Sequence, residues 1–551
     1  MDPARMSRRG LMRVSATAAA GAWLAAACSP DPSGNGSGST GGDGAPVVST
    51  STGRVRGVSA DGVHSFKGIP YAAPPVGELR FKAPRAAPNW DGELDASQLG
   101  HPSVQTNPDY SPWLDPQPES EDCLVLNVWA PEQVSERKPV MVWFHGGGYW
   151  YGSAGAPLYD GGNLARSGDV VVVGVNHRLN AFGYMWLGDI VPELADEGNV
   201  GQQDLVAALR WVQENIANFG GDPQNVTIFG ESGGGGKVSS LLATPSAVGL
   251  FHRAIVQSGS AARLQTKEEA SEAARLTLAA LGPGPFDLKR LQSVKTEQLK
   301  AAAEAIGGQY RPVLDGSFMT HQTWATGAPP ESSGIPMMIG YNTHEMVAFQ
   351  PDFADPIRDD AELERRFRAV ELVPVLSSEQ YQTFLDGYRG LNPGLDRHGL
   401  LAAMSSDPVF MRLAKEQADI KAAQGARDVY VYEFTWTTPC FGGQWALHAS
   451  ELPLEFGNLS YASAWDGKDS DSLRAAADPQ DHQARLSAEM IAAWSAFART
   501  GDPSTASLPW PAYDANTTTT MVLGGAESKA VPRFADQRYA LVRDLPVKDI
   551  I

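Results

Sequence analysis

Gly230-Glu231-Ser232-Gly233-Gly234 is the stretch on which the reading of this chain turns. It follows the apolar run Val226-Thr227-Ile228-Phe229 and opens a segment of small residues, Gly235 to Leu242. The pattern predicts a strand, a sharp turn with serine at its apex, and a helix. Glycines flank the serine because so tight a turn crowds its neighbours and forces backbone angles that a Cβ resists. The hydroxyl then stands at the end of a sheet, where the first N–H groups of the helix also point. Alone, the five residues carry little weight: a 551-residue chain with 57 glycines produces such a pattern by chance roughly 0.4 times. A base, an acid and further N–H donors must be found elsewhere.

Outward from the serine, apolar runs at Pro139–Phe144, Val170–Val175, Val226–Phe229, Ala254–Val256, Met337–Ile339 and Val429–Tyr432 read as strands. Several are continuous rather than alternating, as strands buried on both faces of a largely parallel sheet are. Between them, Leu205, Leu209, Val212, Ile216 and Phe219 recur at helical spacing over Gln203–Phe219, and Gly220 is the stop signal. The alternation predicts an α/β fold: a large, mostly parallel central sheet flanked by helices, with long insertions.

The chemistry of an activated serine needs a general base, a group that orients the base, and donors for a developing oxyanion. His145-Gly146-Gly147-Gly148-Tyr149 ends the strand at Phe144, and its glycines let the backbone turn N–H groups inward. Of the ten histidines, His448 in Leu447-His448-Ala449-Ser450-Glu451 follows the strand near Val429. Glu345 in Asn342-Thr343-His344-Glu345 follows the strand at Met337. The order Ser232, Glu345, His448 is that of α/β hydrolases, and each lies beyond the carboxyl end of a predicted strand.

Composition narrows the partners. The formal net charge of −19 argues against nucleic acid and anionic membrane surfaces. Ser7-Arg8-Arg9-Gly10-Leu11-Met12, followed by a small-residue apolar stretch to Ala27, resembles a twin-arginine export signal. Leu24-Ala25-Ala26-Ala27-Cys28 resembles a lipobox, with Ala25 where leucine is usual, which makes Cys28 the expected lipidation site. Residues 1–28 are read as signal, 29–46 as a Gly/Ser/Pro-rich tether with nothing to bury, and 47–551 as one catalytic domain. The expected protein is exported, secreted or held at the cell surface, and touches membrane only through its lipid. The three cysteines, Cys28, Cys123 and Cys440, show neither a disulfide framework nor metal spacing; no cofactor or metal is expected.

Longer motifs then accumulate in order. They include Phe66-Lys67-Gly68-Ile69-Pro70-Tyr71-Ala72, Glu121-Asp122-Cys123-Leu124-Val125-Leu126-Asn127-Val128, Asn218-Phe219-Gly220-Gly221-Asp222-Pro223 and Phe497-Ala498-Arg499-Thr500-Gly501-Asp502-Pro503. From about Val47 to beyond Met521 the chain resembles type-B carboxylesterases. The resemblance implies a serine carboxylic ester hydrolase, with Ser232 as nucleophile, His448 as base and then acid, Glu345 as its orienting partner, and Gly147, Gly148 and Gly233 as oxyanion donors. The substrate it implies is a small-molecule ester. Other activities on the same triad, as lipase, carbamate hydrolase or amidase, remain open. A non-catalytic, neuroligin-like recognition protein is disfavoured because all three side chains are retained.

Departures from the family pattern matter. Gly233 stands where alanine is usual, which predicts a softer turn and a Gly233→Ala substitution that leaves or raises the acylation rate. Ser103 occupies the place of a cysteine that commonly pairs with the Cys123 position, so Cys123 is expected as a buried free thiol. Trp113 has the offset of the choline-binding aromatic of cholinesterases, but Ala348 replaces a second aromatic, and one Trp is no cage. Trp113 is therefore read as a pocket wall or packing residue, and Tyr149, Trp150 and Tyr151 as residues that either line the entrance or simply pack.

Overall fold

The computed structural model describes residues 45–106, 115–133, 135–195, 197–260, 263–307, 310–325, 327–350, 352–425, 427–441, 443–461 and 476–546. The export signal, Cys28, most of the tether and Trp113 lie outside these residues.

Among the described residues, eleven strands form the central sheet. They are β1 (Val58–Ala60), β2 (Val63–Pro70), β3 (Val125–Pro131), β4 (Lys138–Phe144), β5 (Val171–Val175), β6 (Gly221–Glu231), β7 (Arg253–Gln257), β8 (Met337–Asn342), β9 (Val429–Phe434), β10 (Thr520–Leu523) and β11 (Lys529–Val531). The order across the sheet is β1-β2-β3-β5-β4-β6-β7-β8-β9-β10-β11. Every neighbouring pair from β5 to β10 is parallel, and the strands outside that run pair antiparallel. All six predicted strands belong to the parallel run.

The continuous apolar runs follow from burial on both faces. Val140, Val142 and Phe144 of β4 join one core cluster with Leu205, Leu209 and Val212 of helix α1 (Val200–Asn215). The intervening Met141 and Trp143 join the opposite cluster with Met490, Trp494 and Phe497 of a later helix, His482–Thr500. Alternate side chains of one strand thus face two helical layers, which leaves no polar face to write into the sequence.

Helix α1 differs from the expected Gln203–Phe219. It begins three residues earlier, and its last predicted turn, Ile216–Phe219, tightens into a 3₁₀ helix. Gly220 stops it with φ +84°, a conformation a Cβ would oppose. Buried Asp204 on α1 takes Arg178 in two side-chain hydrogen bonds, at 2.8 and 2.6 Å, and so fastens the helix to the segment after β5.

Register brings the strand ends together. Phe144 pairs with Gly230, Glu231 with Gln257, Gln257 with Gly340, and Asn342 with Phe434. The segments following β4, β6, β7 and β8 therefore start side by side, at the carboxyl edge where sheets of this kind place their sites.

Candidate active site

Ser232 sits between β6 and helix α2 (Gly233–Leu241) with φ +56° and ψ −124°. An L-residue holds such a conformation only when its surroundings over-determine it. Here Ser232 N–H donates to Gln257 O at 2.8 Å, and Ser232 O accepts from Gly236 N–H at 2.9 Å. Glu231 and the glycines after Ser232 are buried, while Ser232 itself keeps partial exposure.

Glu345 and His448 meet across 103 residues of sequence: His448 Nδ1 lies 2.6 Å from Glu345 Oε2. The second carboxylate oxygen of Glu345 accepts from Ser258 Oγ at 2.6 Å and from Asn342 N–H at 2.7 Å. Three donors from three segments fix this carboxylate, which in turn places the Nδ1 proton of the imidazole. Phe349 and Phe410 flank the His448 ring with centroids 4.9 and 5.0 Å away. With Nδ1 held and two phenylalanine rings packed against the imidazole, Nε2 is the atom left to act.

Nε2 lies 3.1 Å from Oε1 of Glu231, the residue immediately before the serine. Among the hydrogen bonds of the described residues, none joins His448 Nε2 to Ser232 Oγ. Nucleophile–base contacts of this kind often close only around substrate. Glu231 belongs to a buried group of acids with Glu451 and Glu455. Burial and the neighbouring carboxylates raise Glu231 well above the usual carboxylate range. Glu451, pushed up to about 7 by burial and Glu345, accepts from Asn342 Nδ2 at 2.6 Å. Glu455, raised by burial and Glu451, accepts from Gln257 Nε2 at 2.7 Å. Burial and mutual repulsion thus disfavour the charged form of all three acids beside the site.

The glycine triplet adopts the backbone only glycine adopts cheaply, with φ +83° at Gly147 and +62° at Gly148. Gly147 O accepts the N–H groups of both Trp150 and Tyr151 at 3.2 Å. Gly233, at the first turn of α2, abuts this loop: a Cβ built there would lie 2.2 Å from Gly148 O and 2.5 Å from Gly148 N. The structure thus places the Gly148 nitrogen against the residue after the serine. The same contact corrects the expected softness at Gly233, because the backbone of another segment confines it and leaves no room for alanine.

For Tyr149 the structure favours the packing alternative. Its side chain is 1% exposed and packs edge-on against Tyr184, so it is a core residue rather than an entrance residue. Trp150 is half-buried and lies beside Gly148. Cys123 and Cys440 are both buried, and Cys123 is the free thiol the sequence leads one to expect. Burial pushes the Cys123 thiol up to about 12, against a smaller downward pull from Ser103, at the expected site of a lost partner cysteine.

Sequence reasoning passed over Glu231, Ser258, Phe349, Phe410 and Lys237. Lys237 alone left a clear signal, as a cation inside a glycine-rich apolar segment after a buried strand. No group of His, Cys, Asp and Glu among the described residues could hold a metal ion.

The model of the "Carboxylesterase family" matches residues 44–541. The chain is 38% identical over 489 residues to the para-nitrobenzyl esterase of Bacillus subtilis, covering 87% of this chain and 94% of that protein. It is 34% identical over 527 residues to the phenmedipham hydrolase of Pseudarthrobacter oxydans, covering 91% and 99%. A carboxylesterase structure from Geobacillus stearothermophilus superposes with a TM-score of 0.76 at 38% identity, over 90% of this chain and 99% of that one. Strand order, site geometry and sequence therefore agree that the chain belongs to the carboxylesterase family and is a serine carboxylic ester hydrolase of the α/β-hydrolase fold.

Proposed function

We propose that Ser232, His448 and Glu345 carry out this hydrolysis through an acyl-enzyme. The observation behind the assignment is the 2.6 Å contact between His448 Nδ1 and Glu345 Oε2, set beside a serine held at φ +56°. His448 Nε2 takes the Ser232 proton as Oγ bonds to the ester carbonyl carbon, and the carbonyl π pair moves onto oxygen. The N–H groups of Gly147, Gly148 and Gly233 receive that oxyanion; each is worth about 2.7–4 kcal/mol in the transition state. Collapse breaks the ester C–O bond, and the imidazolium protonates the departing alkoxide. Water then repeats the sequence on the acyl-serine, releasing acid and restoring Ser232.

Incubating the folded protein with a fluorophosphonate and mapping the adduct tests this assignment. Modification at Ser232 is expected, and an ester-hydrolysing protein with no adduct there overturns it. A series of p-nitrophenyl esters of increasing acyl length defines the acyl preference of this small-molecule esterase. Trp150, beside Gly148, and Trp113 are the proposed pocket residues.

The N-terminal motifs support export by the twin-arginine route with lipidation at Cys28, leaving the catalytic domain tethered at the cell surface. Replacing Cys28 by Ser should release the protein from membranes; continued membrane association rejects the lipid anchor.

A further inference from the structure

Lys237 is fully buried in the first turns of α2, five residues after Ser232. A charged side chain is rarely found inside unless it has partners. Its partners are specific: Nζ donates to His145 O and to Gly148 O, both at 2.9 Å. These two carbonyls bracket the glycine triplet. The Tyr149 ring closes the site, with its centroid 5.4 Å from the ammonium.

The local sequence explains how one lysine reaches both carbonyls. Side chains on a helix lean toward its N-terminus, so a residue one turn into α2 extends back toward the serine. Lys237 stands four residues after Gly233 and shares its helix face. That face meets the glycine loop, since the Cβ position of Gly233 falls on Gly148 and that of Gly234 falls 2.0 Å from Phe144 O. With four glycines preceding it, the lysine is the first side chain of the helix beyond Cα.

The geometry points to Lys237 as the positioning residue of the oxyanion hole, tying the His145 and Gly148 carbonyls to the helix that carries Ser232 so that the N–H groups between them face the reacting carbonyl. This role rests on the oxyanion assignment made above. Charged and titratable groups around the lysine are Glu231 at the end of β6, His145 after β4 and His177 after β5. Burial, and next the Lys237 charge, hold both histidines well below their usual range, so they remain neutral neighbours. Burial holds the lysine itself down to about 7, against an upward pull from Glu231. A site that tolerates this loss of solvation has a use for the two hydrogen bonds.

The test compares Lys237→Met, which keeps the stem and removes the donors, with Lys237→Gln, which keeps a neutral donor. Both are made in the full chain, and three quantities are read: kcat and KM on p-nitrophenyl butyrate, inhibition by an aryl trifluoromethyl ketone, and inhibition by butyrate. The ketone forms a tetrahedral oxyanion on Ser232, whereas butyrate does not. Lys237→Met should lower kcat about 10- to 100-fold with KM within about twofold, and weaken the ketone by the same factor while leaving butyrate unchanged. Lys237→Gln should fall between Met and wild type. The inference fails if Lys237→Met keeps wild-type kcat and ketone affinity, if ketone and butyrate weaken together, or if neither variant folds, since Lys237 would then serve the fold alone. A wild-type protein that hydrolyses no ester, or takes no fluorophosphonate at Ser232, overturns the catalytic assignment instead.

Discussion

Gly233→Ala tests whether packing or backbone freedom governs the nucleophile turn. The added methyl would lie 2.2 Å from Gly148 O, 2.4 Å from Gly148 Cα and 2.5 Å from Gly148 N. Comfortable carbon contacts begin near 3.5 Å, so helix and loop must part by about 1 Å. The atoms contacted belong to backbone, in a loop whose two ends are already bound by Lys237. Overpacking of this kind costs about 1–3 kcal/mol of stability. The catalytic penalty is larger in proportion on the proposed mechanism, because the displaced residue is the proposed oxyanion donor, worth about 2.7–4 kcal/mol, and a shift of about 1 Å costs on the order of 100-fold in rate. The expected result is a fall in kcat of about 100-fold with a smaller change in KM. Kinetics on p-nitrophenyl butyrate, normalised by fluorophosphonate titration of active sites and accompanied by thermal melts, measure it. A folded variant with kcat within about threefold of wild type, a difference under about 0.7 kcal/mol, would show that the loop yields freely and refute the steric argument.

Three further outcomes follow from the same contacts. Glu345→Gln presents an amide N–H to His448 Nδ1 and favours the tautomer protonated at Nε2; kcat should fall about 10⁴-fold with little change in KM, and a loss under tenfold in steady-state assays counts against Glu345 as the orienting group. Glu451 has a folded-state value of about 7 against an ordinary 4.5, so the folded protein holds a proton that the unfolded chain releases. Its contribution is fully present below about pH 4.5 and is lost as pH rises through 7; Glu451→Gln should therefore gain about 3 kcal/mol on wild type between pH 4.5 and 8 by urea unfolding, and a constant gap rejects the shift. Cys123, with its thiol at about 12 and no exposure, should resist iodoacetamide at pH 8 until the protein is unfolded, whereas rapid alkylation of native protein contradicts its burial.

What the sequence makes legible here is what local rules govern. Strand β4 is readable because Val140–Phe144 has no polar face to hide, and the end of α1 because Gly220 needs positive φ. Glu345 and His448 are readable as candidates because each follows a strand whose neighbours in the sheet are fixed by register. What escapes is contact between segments far apart in the chain. Phe410 reaches the His448 ring from a π-helical turn, Asp407–Met411, which has no simple period to betray it. Tyr149 could line the entrance or pack when read from sequence, because it follows a glycine loop; contact with Tyr184 decides for packing. Only the partner segment decides such cases.

Gly233 is the sharpest instance, and it changes how a run of glycines should be understood. In an isolated helix, Gly233 to Gly236 would each cost roughly 1 kcal/mol against alanine, and the start of α2 would be loose. In the folded protein these positions are in contact with other backbone: Cβ atoms at Gly233, Gly234 and Gly235 would meet Gly148 O, Phe144 O and Gln257 O at 2.2, 2.0 and 2.6 Å. The glycines let three strand ends and a helix approach to backbone contact, and that approach is what allows a lysine on the next turn to reach the loop carbonyls. The entropy lost at four glycines is offset by close packing and by the two hydrogen bonds that Lys237 donates. Stiffness at this serine is therefore a property of the assembled sheet edge, and the residue that most directly reports it is the buried lysine rather than any glycine.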